Sequence, residues 1–164
     1  MPGQRVVVIL GSESDYDFGA PIKSFLERFG VGCEFRVASA HKDSERLIQI
    51  LESYEKLDEN IVYITVAGLS NALSGFVDFK TKHPVIACPP WSQNLWSVDI
   101  FSSLRMPKGV ASLVICDPEN AALAAVKILA ESDAKLADRV RQYQRDIQSR
   151  SEKADVKLKQ SKQS

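Results

Sequence analysis

Five short apolar runs, each followed by a polar turn and a stretch with helical spacing, constrain this chain more than any other feature. The runs cover residues 5–10, 33–38, 61–67, 85–88 and 111–116. The first of them, residues 5–10, is β-branched and continuous, as a strand buried on both faces requires. The stretches between them read differently. Residues 15–29 carry Phe18, Ile22, Phe25, Leu26 and Phe29 at helical spacing, and Gly30 stands where a helix C-cap glycine belongs. Residues 43–57 repeat the pattern with Leu47, Ile50, Leu51 and Tyr54. A short helix is expected over 71–79, another from Trp96 to about Met106, and an alanine-rich one over 118–130 with Pro118 at its favoured first position. Strands alternating with helices imply a parallel sheet covered on both sides. With right-handed crossovers, the expected fold is a three-layer, doubly wound α/β sheet of five parallel strands, flavodoxin-like or Rossmann-like.

A chain of 164 residues is long enough to bury one sizeable core. Residues 1–150 are read as a single domain. Residues 134–149 form a long helix with a narrow stripe of Leu136, Val140, Tyr143 and Ile147, and the lysine-, serine- and glutamine-rich residues 151–164 are expected to be a disordered tail. Twenty-one basic residues balance 21 acidic ones, so no global field recruits nucleic acid or a membrane surface. No apolar run approaches the length of a membrane span. The amino terminus enters a strand directly, which makes a cytoplasmic address the default. Cys33, Cys88 and Cys116 are widely spaced and odd in number, and read as small buried hydrophobes rather than a disulfide or metal set.

Three polar turns follow the first three strands and would meet at one edge of the sheet, where open α/β sheets bind ligands. The first, Gly11-Ser12-Glu13-Ser14-Asp15, lies between a strand and a helix. Its backbone N–H groups and hydroxyls suit a phosphate, and its carboxylate suits ribose hydroxyls. Capping of the helix by Ser14 or Asp15 explains the same residues equally well. The second turn is Ser39-Ala40-His41-Lys42. Imidazole moves protons near neutral pH, and lysine holds an anion as a point charge. The third, running from Gly68-Leu69-Ser70-Asn71 to Gly75, brings small residues where a ligand must approach backbone closely, or caps a helix with Ser70 or Asn71. The other histidine, His83, precedes a proline and reads as structural. Trp91 and Trp96 suit core or interface anchors better than ligand platforms.

Taken in order, GSESD, SAHK, AGLSNALSG, PVIACPP and DIFSSLRMPKGV resemble the PurE family of phosphoribosylaminoimidazole carboxylases over about residues 4 to 150. The family has a mutase class, typically with SAHR, and a second class, typically with SAHK, an AGRSN-like turn and CPP. The second class carboxylates aminoimidazole ribonucleotide directly with carbon dioxide. Lys42, Ser70-Asn71 and Cys88-Pro89-Pro90 resemble class II, while Leu69 stands where that class usually has arginine. Arg105 or Lys42 would compensate, or only the backbone at Gly68 matters. The resemblance implies His41 and Lys42 as catalytic residues. It implies Gly11, Ser12, Ser14, Asp15, Ser39, Ala40, Lys42, Gly68, Leu69, Ser70 and Asn71 as the substrate site, with no metal and no cofactor. It also implies a homo-octamer, and the stripe over 134–149 is expected to be buried against another copy. A flavodoxin-like FMN carrier is the competing class. A phosphoacceptor module would need an aspartate where Ala67-Gly68 stand.

Overall fold

The computed structural model describes residues 3–91 and 98–161. Five strands, β1 (Gly3–Leu10), β2 (Gly32–Val37), β3 (Glu59–Val66), β4 (Val85–Ala87) and β5 (Leu113–Val114), form one sheet in the order β2-β1-β3-β4-β5. Every pairing is parallel, and β1 aligns with β3 over its full length, from Gly3 beside Glu59 to Leu10 beside Val66. The fold is therefore the expected doubly wound, flavodoxin-like arrangement. The chain leaves β1 in one direction to reach β2 and crosses to the other side for β3. That reversal opens a crevice above the carboxyl ends of β1 and β3.

Helices cover both faces. On one side lie α1 (Tyr16–Arg28), α5 (Pro118–Ala130) and α6 (Ala134–Ser161), packed against Val6, Val8, Leu10, Val62, Ile64 and Val66. On the other lie α2 (Ser44–Glu55) and α3 (Leu73–Lys80), packed against Val7, Ile9, Ile61 and Tyr63. Neighbouring residues of β1 thus enter opposite cores, which is why its run is continuously apolar. Gly30, at φ +65°, lets the chain reverse after α1 and re-enter the sheet as β2.

Four local expectations are corrected. The fifth strand is two residues long rather than six, because β4 is itself short and offers partners only at Ile86 and Ala87. The third helix starts at Leu73 rather than Asn71, whose side chain is used elsewhere. The helix expected from Trp96 to Met106 shrinks to one 3-10 turn, Val98–Ile100, followed by α4 (Phe101–Leu104); Trp96 lies outside the described residues. Finally, α6 continues to Ser161 where a tail without structure was expected from 151. Residues 151–160 are all exposed, and the Asp155–Lys159 ion pair one turn apart helps carry the helix on.

The stripe on α6 is also corrected. Leu136 and Val140 are buried in the chain's own core, and the Tyr143 ring meets Phe25 and Phe29 edge-on at 5.5 Å. The wide apolar face of α1 needs more cover than the sheet supplies, and α6 provides it. Only Ile147 of the stripe is exposed.

Candidate active site

The three turns converge as their positions in the sequence demand. A cavity of about 460 Å³ opens at the reversal point and is lined by Gly11, Ser12, Ser14, Asp15, Ser39, Ala40, His41, Lys42, Gly68, Leu69 and Ser70. Ala67, Ala72 and Leu73 complete the wall. These three were not expected; Ala67 is the residue that follows β3, and its small side chain leaves the floor open. Of the expected residues, only Asn71 is not in the lining.

The first turn begins with Ser12, whose hydroxyl oxygen accepts from the Ser14 N–H at 3.4 Å and pairs with the Ser14 hydroxyl at 3.0 Å. A single 3-10 turn, Glu13–Asp15, then leads into α1. Asp15 makes no capping bond to α1. Helix capping therefore does not explain Ser14 or Asp15, although Ser12 does cap the short turn. Burial pushes the Asp15 carboxyl above its ordinary range, while the Ser12 backbone N–H and the charge of Lys42 pull it back. Asp15 and Lys42 both line the cavity, and the lysine's charge acts on the carboxyl.

The second turn is tied by Ser39. Its carbonyl accepts from the Asp43 N–H at 2.9 Å, and its hydroxyl oxygen accepts from the Lys42 N–H at 3.3 Å. Asp43 then caps α2 by accepting from the Arg46 N–H. This knot sets His41 and Lys42 at the mouth of the cavity, where both are exposed.

The third turn is the most constrained. At Gly68 a Cβ would come within 3.3 Å of Pro90 Cγ, so a side chain there would push the Pro89-Pro90 segment away. Leu69 has φ +58° and is 65% exposed. Asn71 points inward: its Nδ2 donates to the Ser103 hydroxyl at 2.8 Å, and its Oδ1 accepts from the Ser74 N–H at 3.3 Å. Asn71 therefore joins the turn to α3 and α4 instead of meeting a ligand. Sequence reasoning missed the partners in α4, because nothing in spacing reveals which serine lies across a loop.

The remaining polar candidates lie elsewhere. His83 precedes β4, at the opposite end of the sheet, with Nε2 3.8 Å from Glu55 Oε1. Trp91 is exposed and does not line the cavity. Arg105 does not line it either. Burial raises the thiol of Cys88 to about 12 and that of Cys33 to about 11, so both are packing residues. Among the described residues no group of histidine, cysteine, aspartate and glutamate could hold a metal ion. No helix among them is long and apolar enough to cross a membrane.

An open parallel sheet with hydroxyls, a carboxylate, a lysine and a histidine gathered at its reversal point defines an enzyme of small-molecule chemistry. The family model of AIR carboxylase matches residues 5–150. A phosphoribosylaminoimidazole carboxylase of Archaeoglobus fulgidus is 48% identical over 157 residues, covering 96% of this chain and 86% of the relative. One of Treponema denticola is 44% identical over 154 residues, covering 94% and 97%. The crystal structure of Treponema denticola PurE superimposes with a TM-score of 0.92 over 94% of this chain and 98% of that one, at 44% identity. The chain belongs to the AIR carboxylase family.

Proposed function

We propose that the protein carboxylates 5-aminoimidazole ribonucleotide with carbon dioxide, without ATP, as the class II members of its family do. The observation that carries this reading is the convergence of Ser12, Asp15, Ser39, His41, Lys42 and Ser70 on one cavity of nucleotide size. Lys42 and Ser70 come from the sequence features that resemble class II.

The chemistry follows from the substrate. Its exocyclic amine feeds electrons into the ring, so the neighbouring ring carbon acts as an enamine-like nucleophile. That carbon attacks carbon dioxide: a carbon–carbon bond forms, and one C=O electron pair moves to oxygen to give a carboxylate. The ring carbon is then tetrahedral and carries both a hydrogen and the carboxylate. His41 takes that hydrogen as a proton, and the C–H electron pair restores the aromatic ring. The net change is ribonucleotide plus carbon dioxide to carboxylated ribonucleotide plus a proton. The electrons come from the substrate, so neither a redox cofactor nor a phosphoryl donor is required. Ser12, Ser14 and Ser39 offer hydroxyls to the phosphate, Asp15 accepts from the ribose hydroxyls, and Lys42 offers a positive charge to the anion. The serine-rich walls orient the substrate so that one base suffices.

An FMN carrier would want an aromatic ring against the flavin. Among the described residues, the cavity lining contains no phenylalanine, tyrosine or tryptophan.

The family resemblance also supports a homo-octamer working in the cytoplasm. The surface that suits such assembly is the edge formed by α3, α4 and β5. It carries the exposed side chains of Phe79, Phe101, Leu104 and Leu113. Exposed apolar side chains on adjoining elements favour burial against another copy.

The deciding experiment incubates the protein with aminoimidazole ribonucleotide and bicarbonate, with and without ATP, and follows the carboxylated product. Equal rates with and without ATP support the reading. Turnover of the N-carboxylated isomer, with none of the simple amine, assigns the protein to the mutase class instead.

A further inference from the structure

Among the described residues, Leu69 is the one non-glycine with positive φ. Leucine in the left-handed region is strained, and such a conformation persists only where neighbours over-determine it. Here the neighbours are three residues of the 99–103 segment, none of which lines the cavity. The Leu69 N–H donates to Asp99 Oδ2 at 3.3 Å. The Asn71 N–H donates to the Ser102 hydroxyl oxygen at 3.0 Å, and Asn71 Nδ2 donates to the Ser103 hydroxyl. The Ser102 hydroxyl proton faces two carbonyls, that of Leu69 at 3.2 Å and that of Asp99 at 2.7 Å. Ser102 thus touches the turn on both sides of Ser70, through an acceptor toward residue 71 and a donor toward residue 69.

We propose that Ser102 is a positioning residue of the carboxylation site: its hydroxyl holds the Gly68–Asn71 turn in the strained form that lines the cavity. The inference rests on the function proposed above. Its physical logic is a two-state turn. With the hydroxyl present, the N–H groups of Leu69 and Asn71 are taken by Asp99 and Ser102. Those of Gly68 and Ser70 have no partner among the described residues and remain for an anion in the cavity. Without the hydroxyl, nothing accepts from Asn71 N–H or donates to the Leu69 carbonyl, and Leu69 relaxes to negative φ. Rotating that one residue reorients the peptide groups on either side of it. Substrate then has to restore the turn on binding, and its apparent affinity falls by the fraction of protein that still holds the competent form.

The test compares four proteins in the carboxylation assay: wild type, Ser102→Ala, Ser102→Thr, and Ser102→Ala combined with Leu69→Gly. Ser102→Ala is expected to raise KM for the ribonucleotide by roughly 5- to 30-fold, as loss of one or two modest hydrogen bonds implies, with a smaller fall in kcat. Ser102→Thr keeps the hydroxyl and should stay within about 3-fold of wild type, since threonine offers the same donor and acceptor. The double variant is the sharper arm. Glycine takes φ +58° without strain, so Leu69→Gly should recover most of the lost affinity although it adds no contact. A purely structural role for Ser102 predicts no such recovery. Wild-type KM in Ser102→Ala, or a double variant as weak as the single one, overturns the proposal. The φ of Leu69 in a crystal structure of Ser102→Ala gives a reading that needs no turnover: a negative angle supports the proposal and a retained positive angle overturns it. If the wild type fails to carboxylate the ribonucleotide, the proposed function fails, and this angle still decides whether Ser102 holds the turn.

Discussion

Replacing Asn71 by alanine should damage stability far more than substrate binding, and the structure sets the size of the effect. Asn71 is 4% exposed, and both hydrogen-bonded neighbours of its side chain, Ser74 and Ser103, are buried. The variant leaves the Ser74 N–H without its acceptor in the first turn of α3. A buried donor stranded in this way costs about 1–3 kcal/mol. The Ser103 oxygen loses the donor to one of its lone pairs but keeps its own O–H, so its share is smaller, on the order of 1 kcal/mol. The total is roughly 2–4 kcal/mol, which for a domain of this length lowers the thermal midpoint by about 4–16 °C. The measurement is thermal unfolding by circular dichroism, beside KM for the ribonucleotide at a temperature where the variant remains folded. A double-mutant cycle with Ser103→Ala isolates the Asn71–Ser103 bond. The two losses should fall short of additivity by about 0.5–2 kcal/mol, since each single variant already breaks the shared bond. A variant that unfolds within a degree of the wild type but binds substrate tens of times more weakly would refute the reasoning. It would return Asn71 to the substrate site that the sequence had suggested.

Further outcomes follow from the same geometry. His41→Asn should retain substrate binding and lose roughly two to four orders of magnitude in kcat, and near-normal turnover would remove it as the base. The raised Asp15 carboxyl means that its charge costs stability at neutral pH: the fold favours the protonated form, and that contribution vanishes as pH rises from 3.8 through the folded value. Asp15→Asn should therefore raise the thermal midpoint at pH 7 by up to a few degrees while weakening ribonucleotide binding; a lower midpoint counts against this account. Burial lowers the His83 pKa below its ordinary 6.5, Glu55 opposing this and Lys82 adding to it. Stability should be full above pH 6.5 and fall below it, by at most about 1.4 kcal/mol per pH unit for one proton, down to the folded value; urea titrations of wild type and His83→Gln over pH 7 to 5 should show a steeper loss in the wild type. Ending the chain at Ser132 removes Leu136, Val140 and Tyr143 from the core and should prevent stable folding, whereas ending it at Arg150 should leave the midpoint unchanged, because residues 151–160 bury nothing.

How much could be read from the sequence depended on what each pattern reports. Continuous apolar runs report burial on both faces, and with the handedness of crossovers they were enough to bring Gly11, Ser39 and Gly68 to one edge. The pattern on α6 was equally visible, but a stripe says only that a face is covered, not by what. Phe25 on α1 and Phe29, the residue that follows it, hold the missing information, since the sheet leaves their rings for a further helix to cover. β5 and α4 were over-extended for a related reason. Their lengths are set by neighbours, the short β4 and the third turn, and not by local propensity. Asn71 shows the limit at the site itself. Polar residues in one turn look alike in sequence, yet Ser70 lines the cavity and Asn71, one residue on, is turned into the protein by Ser102 and Ser103.

The same network bears on Leu69, the position where this chain departs from the arginine usual in class II. Three compensations were open: a cation from Arg105, a cation from Lys42, or a role for backbone alone. Arg105 does not line the cavity and Lys42 does. More telling is that every hydrogen bond at residue 69 goes through its backbone, the N–H to Asp99 and the carbonyl from Ser102. None of these depends on which side chain the residue carries, provided that it accepts φ +58°. The Leu69 side chain, 65% exposed, makes none of the bonds that hold the turn. On the proposed function, anion contacts that an arginine would have supplied fall to Lys42 and to the backbone N–H groups of Gly68 and Ser70, which have no partner among the described residues. Binding at this site thus leans more on the shape of the Gly68–Asn71 turn than it would with a flexible cation at its tip, and the serines of α4 that hold that shape matter correspondingly more.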